Sequence, residues 1–292
     1  MPTQLSSQQA QTFSFFDATS SEWREKAEGR LRRVNVIAQR NACVHRVQLA
    51  LRSESMLDVG CGTGELVVEM AAKGVQATGI DFSPEMIRAC EEKRRAGAAA
   101  ARFHCCSVFE YRAEDESEAL ISALGFIEYI SPAELRDFLG FAQRVLRPGG
   151  ALAVGSRNRL FNLVTFNEYT AMERQLNTID ALMSEALAIE DGAGIEEIHS
   201  APLPRPESHP RTRIDVATRH QYTPGELAAL VREAGLVPEA IYPVHYHAIP
   251  PAAAEGLKDM QIDFSNRIFT EAPEERRLLP FSSSFVLAAR KL

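Results

Sequence analysis

Between residues 56 and 155 the chain alternates short apolar runs with segments that carry helix-start signals. Met56-Leu57-Asp58-Val59 is apolar and ends in glycines, and Glu65 to Ala72 then reads as helix. Gln76 to Ile80 is a second run, ending at Asp81, after which Ser83-Pro84-Glu85 opens a helix with Ser as cap and Pro in the first turn. Ala101 to Cys106 and Ala119 to Leu124 are predicted as the third and fourth strands. Ser131-Pro132-Ala133-Glu134 is a capping box for a helix running to Val145. Pro148-Gly149-Gly150 is predicted as a turn, and Ala151 to Gly155 as a fifth strand. Apolar strands of this length, alternating with capped helices, predict an α/β fold with a parallel sheet covered on both faces.

The flanks have a different rhythm. The first 50 residues read as a helical cap of mixed charge, with Phe13, Phe15, Phe16 and Trp23 as apolar anchors. After Ser156, Met172, Leu176, Ile179, Met183 and Leu187 recur near a 3.6-residue period and predict one amphipathic helix. Pro202, Pro204, Pro206 and Pro210 make the following stretch irregular. Thr223-Pro224-Gly225-Glu226 is a second capping box, with its helix stopping near Gly235. Leu236 to Tyr242 and Ser283 to Ala289 are predicted as closing strands. The expected organisation is a cap over 1–50, a core over 51–156, an insert over 157–221 and a return to the core over 222–292.

Composition narrows the function classes. With 45% hydrophobic and 24% charged residues, the chain is an ordinary globular protein. Its net charge of −7 sets aside a nucleic-acid backbone as partner, because that role needs a basic face. No stretch reaches the roughly 18 apolar residues of a membrane span, and Met1 to Gln11 is polar, so a cytoplasmic location is expected. The five cysteines show no C-x-x-C spacing, and no metal site is expected. Adjacent Cys105 and Cys106 are predicted on alternate faces of a buried strand.

The densest chemical signal is Leu57-Asp58-Val59-Gly60-Cys61-Gly62-Thr63-Gly64, with Asp81 at the tip of the next strand. Glycines at a strand-to-helix turn let a ligand approach the backbone without meeting a Cβ. An acid at the end of the next strand is placed to accept ribose hydroxyls. The order is G-x-G-x-G followed by Glu65, not the G-x-G-x-x-G of dinucleotide sites, and Asp58 precedes it. A carboxylate there suits a cationic amino-acid group better than a pyrophosphate. A nicotinamide oxidoreductase is therefore disfavoured, and no G-x-x-x-x-G-K-[ST] phosphate loop is present.

With LDVGCGTGEL at 57–66, GIDFSPEMI at 79–87 and RVLRPGGALAV at 144–154, the chain resembles the class I S-adenosylmethionine-dependent methyltransferases. The resemblance implies a Rossmann-like, seven-stranded, mostly parallel sheet and S-adenosylmethionine as cofactor. It implies that Asp58, Gly60, Cys61 and Gly62 line the methionine portion and that Asp81 binds the ribose hydroxyls, with Phe82 and Met86 beside the adenine. Ser107 stands where the family often has an acid for the adenine amino group, so Ser107 and the Val108 backbone would serve there instead. Leu124 and Gly125 would lie near the sulfonium. The flanks resemble the ubiquinone-biosynthesis O-methyltransferase branch. Phe16-Asp17 with Trp23 is similar to its F-D…W, Tyr222 to Leu227 to its F-I-K-P-x-E-L, and Val244-His245-Tyr246-His247 to its L-H-Y-N. Phe126-Ile127-Glu128-Tyr129-Ile130 is similar to its L-E-H-V, with Tyr129 replacing the histidine. By spacing, Arg40 matches the arginine that meets the cofactor carboxylate in that branch.

Methyl transfer from an activated sulfonium is an in-line displacement, and its rate comes mainly from alignment. A hydroxyl acceptor also needs a base, for which His220, His245 and His247 are candidates. His245 and His247 alternate along a strand-like segment, so at most one of them is expected to face the site. Phe161, Phe166, Tyr169, Met172 and Met183 offer an apolar wall for the acceptor, and Glu173, Asp180, Glu185 and Glu190 speak against that insert as a lipid-surface helix. The sequence thus points to methylation of a hydroxyl or amine on a small, moderately apolar metabolite. A catalytically idle cofactor-binding regulator is the alternative, suggested by Ser107 and Tyr129.

Overall fold

The computed structural model describes residues 34–97, 100–198, 202–206 and 220–292. Phe13, Phe15, Phe16, Asp17 and Trp23 lie outside the described residues, and the proline-rich stretch is described only over 202–206.

Helix α1 (Val36–Leu51) leads into β1 (Ser55–Val59), α2 (Glu65–Ala72), β2 (Gln76–Asp81), α3 (Pro84–Gly97), β3 (Arg102–Cys105) and β4 (Glu118–Leu124). Helix α4 (Pro132–Val145) and β5 (Leu146–Arg157) complete the βα repeat. Helices α5 (Glu168–Gln175) and α6 (Ile179–Glu190) form the insert, and α7 (Pro224–Glu233), β6 (Val237–Tyr246), α8 (Lys258–Glu271) and β7 (Ser282–Arg290) close the fold. The strands make one seven-stranded sheet in the order β3-β2-β1-β4-β5-β7-β6. β1 to β5 run parallel, and β7 is antiparallel to both β5 and β6. The expected Rossmann-like seven-stranded sheet is thus what the chain forms.

Two apolar clusters cover the two faces, as a parallel sheet requires. One joins Cys43, Val44 and Val47 of α1 to Leu66, Val67 and Met70 of α2. The other joins Leu135, Phe138 and Leu139 of α4 to Leu227 and Val231 of α7 and to Leu182 and Ile189 of α6. Capping follows the sequence at α4, where Ser131 and Glu134 form the reciprocal box. At α7 Thr223 accepts from the Glu226 amide at 3.0 Å, while the Glu226 carboxylate turns to Arg205.

Three local expectations need correction. Pro148-Gly149-Gly150 is not a turn but a bulge inside β5, because Gly149 takes φ +76° and a Cβ on Gly150 would lie 2.9 Å from the Arg147 carbonyl oxygen. The single insert helix is two helices, broken where Asn177 takes φ +55°. The break resets the helical phase, so Leu182, Ala186 and Ile189 are buried while Met183 and Leu187 are exposed. Finally, β3 is the edge strand, so Cys105 is exposed and Cys106 half-buried. Among the described residues no helix is long and apolar enough to cross a membrane, and no cluster of metal-ligating side chains occurs.

Candidate active site

Ligands in open α/β sheets bind beyond the carboxyl ends of the strands, where the loops diverge. Here those ends lie in the order Asp81 of β2, the glycine loop after β1, Gly125 after β4 and Arg157 of β5. A cavity of about 610 Å³ runs along this edge.

The glycine loop is tied to β2, since the Gly60 and Cys61 amides donate to the Ile80 carbonyl at 2.9 and 3.0 Å. Gly60, Gly62 and Gly64 all take positive φ, of +69°, +54° and +79°. Their surroundings differ. A Cβ on Gly64 would lie 2.8 Å from Cys90 Sγ, whereas a Cβ on Gly62 would meet nothing within 4 Å. Gly62 therefore presents bare backbone to the cavity, the close approach expected of the loop. Cys61 also lines the cavity, and its hydrogen bond with Cys90, reinforced by burial, pushes its thiol well up. It stays a neutral thiol, which is no nucleophile.

Two carboxylates face the same space. The register pairs Asp58 of β1 with Ser122 of β4, and the Ser122 hydroxyl donates to Asp58 Oδ1 at 2.6 Å. Burial outweighs that bond and raises Asp58 to about 7. Asp81 accepts the Gly62 amide at 3.0 Å and the Ser83 amide at 2.9 Å, one on each carboxylate oxygen. Burial still raises it to about 6. Each Asp81 oxygen keeps a second lone pair, so the carboxylate retains acceptors for a vicinal diol. Asp58, lifted chiefly by burial, would regain its charge beside an ammonium group, which lowers a carboxylate pKa.

The wall toward β5, β7 and β6 is of opposite character. Glu128 is 2% exposed and accepts Arg40 Nη2 at 2.9 Å on one oxygen and Arg157 Nε at 3.2 Å on the other. Arg40 also donates to Ser284 Oγ from Nε at 2.9 Å and from Nη2 at 2.7 Å. Ser283 Oγ lies 2.8 Å from His245 Nδ1. His245 has φ +58°, a strained conformation for a ring-bearing residue.

All of Arg40, Asp58, Gly60, Cys61, Gly62, Asp81, Phe82, Met86, Ser107, Val108, Leu124 and Gly125 line this one cavity. The three histidines are not together. His245 lines the cavity; His220 and His247 do not. His247 lies behind His245, with ring centroids 4.3 Å apart, and packs on Phe161 at 4.6 Å. His245 takes φ +58° and His247 lies beyond the end of β6, so strand alternation does not govern this pair, and depth separates the two rings. Burial holds His247 down at about 4, so it stays uncharged near neutrality. His220 is buried beside Tyr222, and its amide donates to the Glu128 carbonyl at 2.7 Å. The apolar wall expected from the insert is displaced too. None of Phe161, Phe166, Tyr169, Met172 and Met183 lines the cavity, whose apolar surface there is Phe126, Tyr129 and Ile130. Arg157, Ser283 and Ser284 had no sequence signal, because they are joined only by the pairing of β5 with β7. Glu128 stood in a quoted motif without an assigned role.

Residues 56–150 match the family model described as a methyltransferase domain. The matched span takes in β1 to β4 and the start of β5, less than half of the chain. The cofactor of this domain is S-adenosylmethionine, and the residues present suit it: a diol acceptor at Asp81, an ammonium partner at Asp58, a cation at Arg40 and open backbone at Gly62. Among curated relatives, the ubiquinone biosynthesis O-methyltransferase of Bradyrhizobium sp. is 30% identical over 104 residues, covering 36% of this chain and 40% of that enzyme. The alignment thus spans less than half of that relative's length. Among solved structures, the Burkholderia thailandensis 1,6-didemethyltoxoflavin-N1-methyltransferase, with bound 1,6-didemethyltoxoflavin and S-adenosylhomocysteine, is 17% identical. It superimposes with a TM-score of 0.57, covering 100% of this chain and 92% of that one. The [4+2]-cyclase SpnF, 16% identical, superimposes with a TM-score of 0.58 over 98% of this chain and 97% of that one. This fold therefore does not by itself dictate the reaction.

Proposed function

We propose that the protein transfers the methyl group of S-adenosylmethionine to a hydroxyl of a small acceptor, with His245 as general base. The observation that carries this is the division of one cavity between two chemistries. Its Asp81–Asp58 end has the acceptors a nucleoside and an ammonium need, and its β5–β7–β6 end holds the single histidine, among the three candidates, that reaches the wall.

When bound, the cofactor supplies a methyl group on a positively charged sulfur, which needs no further activation. The chain supplies position. Asp81 anchors one end, Asp58 and Arg40 hold the amino-acid group, and Gly62 allows approach to the backbone. Three strand spacings separate Asp81 from Arg157, roughly 14 Å at 4.8 Å per step, so the acceptor falls on the Arg157 side. Ser283 fixes the His245 ring through Nδ1, which makes Nε2 the atom that takes the hydroxyl proton as the oxygen attacks. Phe126, Tyr129 and Ile130 exclude water from the acceptor face.

The test is methyl transfer from labelled S-adenosylmethionine to a panel of phenols and aliphatic alcohols, beside calorimetry with S-adenosylhomocysteine. Binding of S-adenosylhomocysteine together with O-methylated product supports the proposal. Binding without product across the panel identifies a cofactor-binding regulator instead, and product on amines alone removes the role of His245.

A further inference from the structure

The acceptor end of the cavity holds more positive hydrogen-bonding capacity than the cofactor uses. Arg40 is committed: its Nε and Nη2 are engaged by Ser284 and Glu128, and it is the cation that suits the amino-acid carboxylate. Arg157 is committed through one atom only. Its Nε donates to Glu128 Oε2 at 3.2 Å, while Nη1 and Nη2 make no hydrogen bond among the described residues. Glu128 is thus one buried negative charge between two guanidinium groups. Tyr129 and Tyr169 also lie near Arg157, and among the described residues no carboxylate other than Glu128 pairs with it. The acids that line the cavity elsewhere, Asp58, Glu65 and Asp81, belong to the β1 and β2 end.

Arg157 is also held in place. It is the last residue of β5, its backbone pairs with Ser284 of β7, and the Tyr222 amide donates to its carbonyl at 3.3 Å. Its side chain is 37% exposed, toward the cavity it lines. A fixed guanidinium that offers its two Nη groups matches the two oxygens of a planar carboxylate. A neutral acceptor would leave these donors without a charged partner, a loss of charge-assisted hydrogen bonds. The positive sulfur of the cofactor adds to the same preference. Ser283 is already turned to His245, so this wall offers a single fork rather than a nest for a phosphate.

Resting on the methyl-transfer proposal for the location of the acceptor, we propose that the substrates are hydroxy acids, whose carboxylate is bound by Arg157 and whose apolar body lies against Phe126, Tyr129 and Ile130. Arg157 is then the specificity-determining residue, and the carboxylate-free analogue of any true substrate is a poor one.

Calorimetry in the presence of saturating S-adenosylhomocysteine tests this without turnover, using 4-hydroxybenzoate and phenol as a matched pair. The wild-type protein is expected to bind 4-hydroxybenzoate tighter by about tenfold or more, the worth of a charge-assisted pair. Arg157→Met removes the preference while S-adenosylhomocysteine affinity stays within about threefold, and Arg157→Lys keeps part of it as a point charge. Equal affinity for the two probes in the wild type, a preference that survives Arg157→Met, or no binding of either at millimolar concentration overturns the proposal. Because no methyl group moves, an anion preference without any methylated product would leave this inference standing and sink the methyl-transfer reading alone.

Discussion

Arg40 and Gly125 meet so closely that a Cβ on residue 125 would lie 2.7 Å from Arg40 Nη1. Gly125 also takes φ +72°, so any side chain there is strained before it touches anything. The glycine lets the guanidinium lie against the end of β4 while Glu128 and Ser284 hold it from the other side. Gly125→Ala is expected to push Arg40 out of line and raise the S-adenosylhomocysteine Kd about tenfold, with a stability loss of about 1–3 kcal/mol from backbone strain. Arg40→Met should weaken binding similarly, and the double variant should be little worse than either single one. Titration of the three proteins checks this; additive losses would mean that the two residues act separately.

The β1-to-β5 core and the cofactor end were legible because their signals are local. Glycines at a strand end, an acid at the next strand end and capped helices all lie within a few residues of what they determine. The acceptor end was not. Arg157, Ser284, Glu128 and Arg40 come from four separate stretches and meet only through the β4–β5–β7 order and the α1 packing. The insert misled for a related reason. A 3.6-residue period continues smoothly through Leu176 in sequence, but the left-handed Asn177 breaks the helix and exposes Met183. Glu173 and Glu185, which in sequence only speak against a lipid-surface helix, are both buried on partners supplied by other segments.

Cofactor affinity should depend on pH through Asp58 and Asp81. Burial raises them to about 7 and about 6, and the cofactor prefers both ionised. Sign follows directly: a raised folded-state carboxylate favours the unliganded folded protein below its pKa and disfavours it above. Affinity for S-adenosylhomocysteine is therefore expected to be full above pH 8 and to fall as pH drops through 7 to 6. Unliganded stability moves the other way, decreasing as pH rises from about 4 to about 7. Asp58→Asn should lower affinity at pH 8 and remove the upper part of the pH dependence. Titrations at pH 5.5, 7 and 8.5 would expose a flat profile, which would mean that Asp58 carries its charge without the ligand.

His245 and His247 should separate cleanly in kinetics although their rings touch. His245→Ala is expected to reduce kcat by about 10²- to 10⁴-fold with S-adenosylhomocysteine affinity retained, as for loss of a general base. Ser283→Ala should give a smaller loss, since it leaves the base but frees its ring. His247→Phe should leave kcat nearly unchanged and alter acid stability instead. Because His247 is held at about 4, against about 6.5 when unfolded, its contribution is present above pH 6.5 and is lost as pH falls toward 4. The variant should thus be more acid-resistant, by up to about 3 kcal/mol at one pKa unit per 1.4 kcal/mol. A large kcat loss in His247→Phe with none in His245→Ala would reverse the assignment.

The insert is tied together by a buried ion pair, and breaking it should be a strongly damaging change outside the cavity. Arg159 and Glu173 are 2% and 0% exposed and bond from Nε at 3.0 Å and from Nη2 at 2.8 Å. Asn162 Nδ2 and Thr178 Oγ1 donate to the same carboxylate at 2.7 and 2.6 Å, while Arg159 Nη2 also reaches the Pro204 carbonyl at 2.7 Å. The pair therefore joins the segment after β5, helix α5 and the residue before α6, and Arg159 adds the 202–206 segment. Removing either charge leaves the other buried and unpaired, which costs about 3–5 kcal/mol, whereas replacing both by apolar groups of similar size costs far less. Arg159→Met and Glu173→Leu are each expected to lower the Tm sharply, and the double variant should recover most of the loss. Calorimetric melting of the three proteins decides the point. A double variant as unstable as the sum of the singles would show that the two charges act independently and that neither neutralises the other.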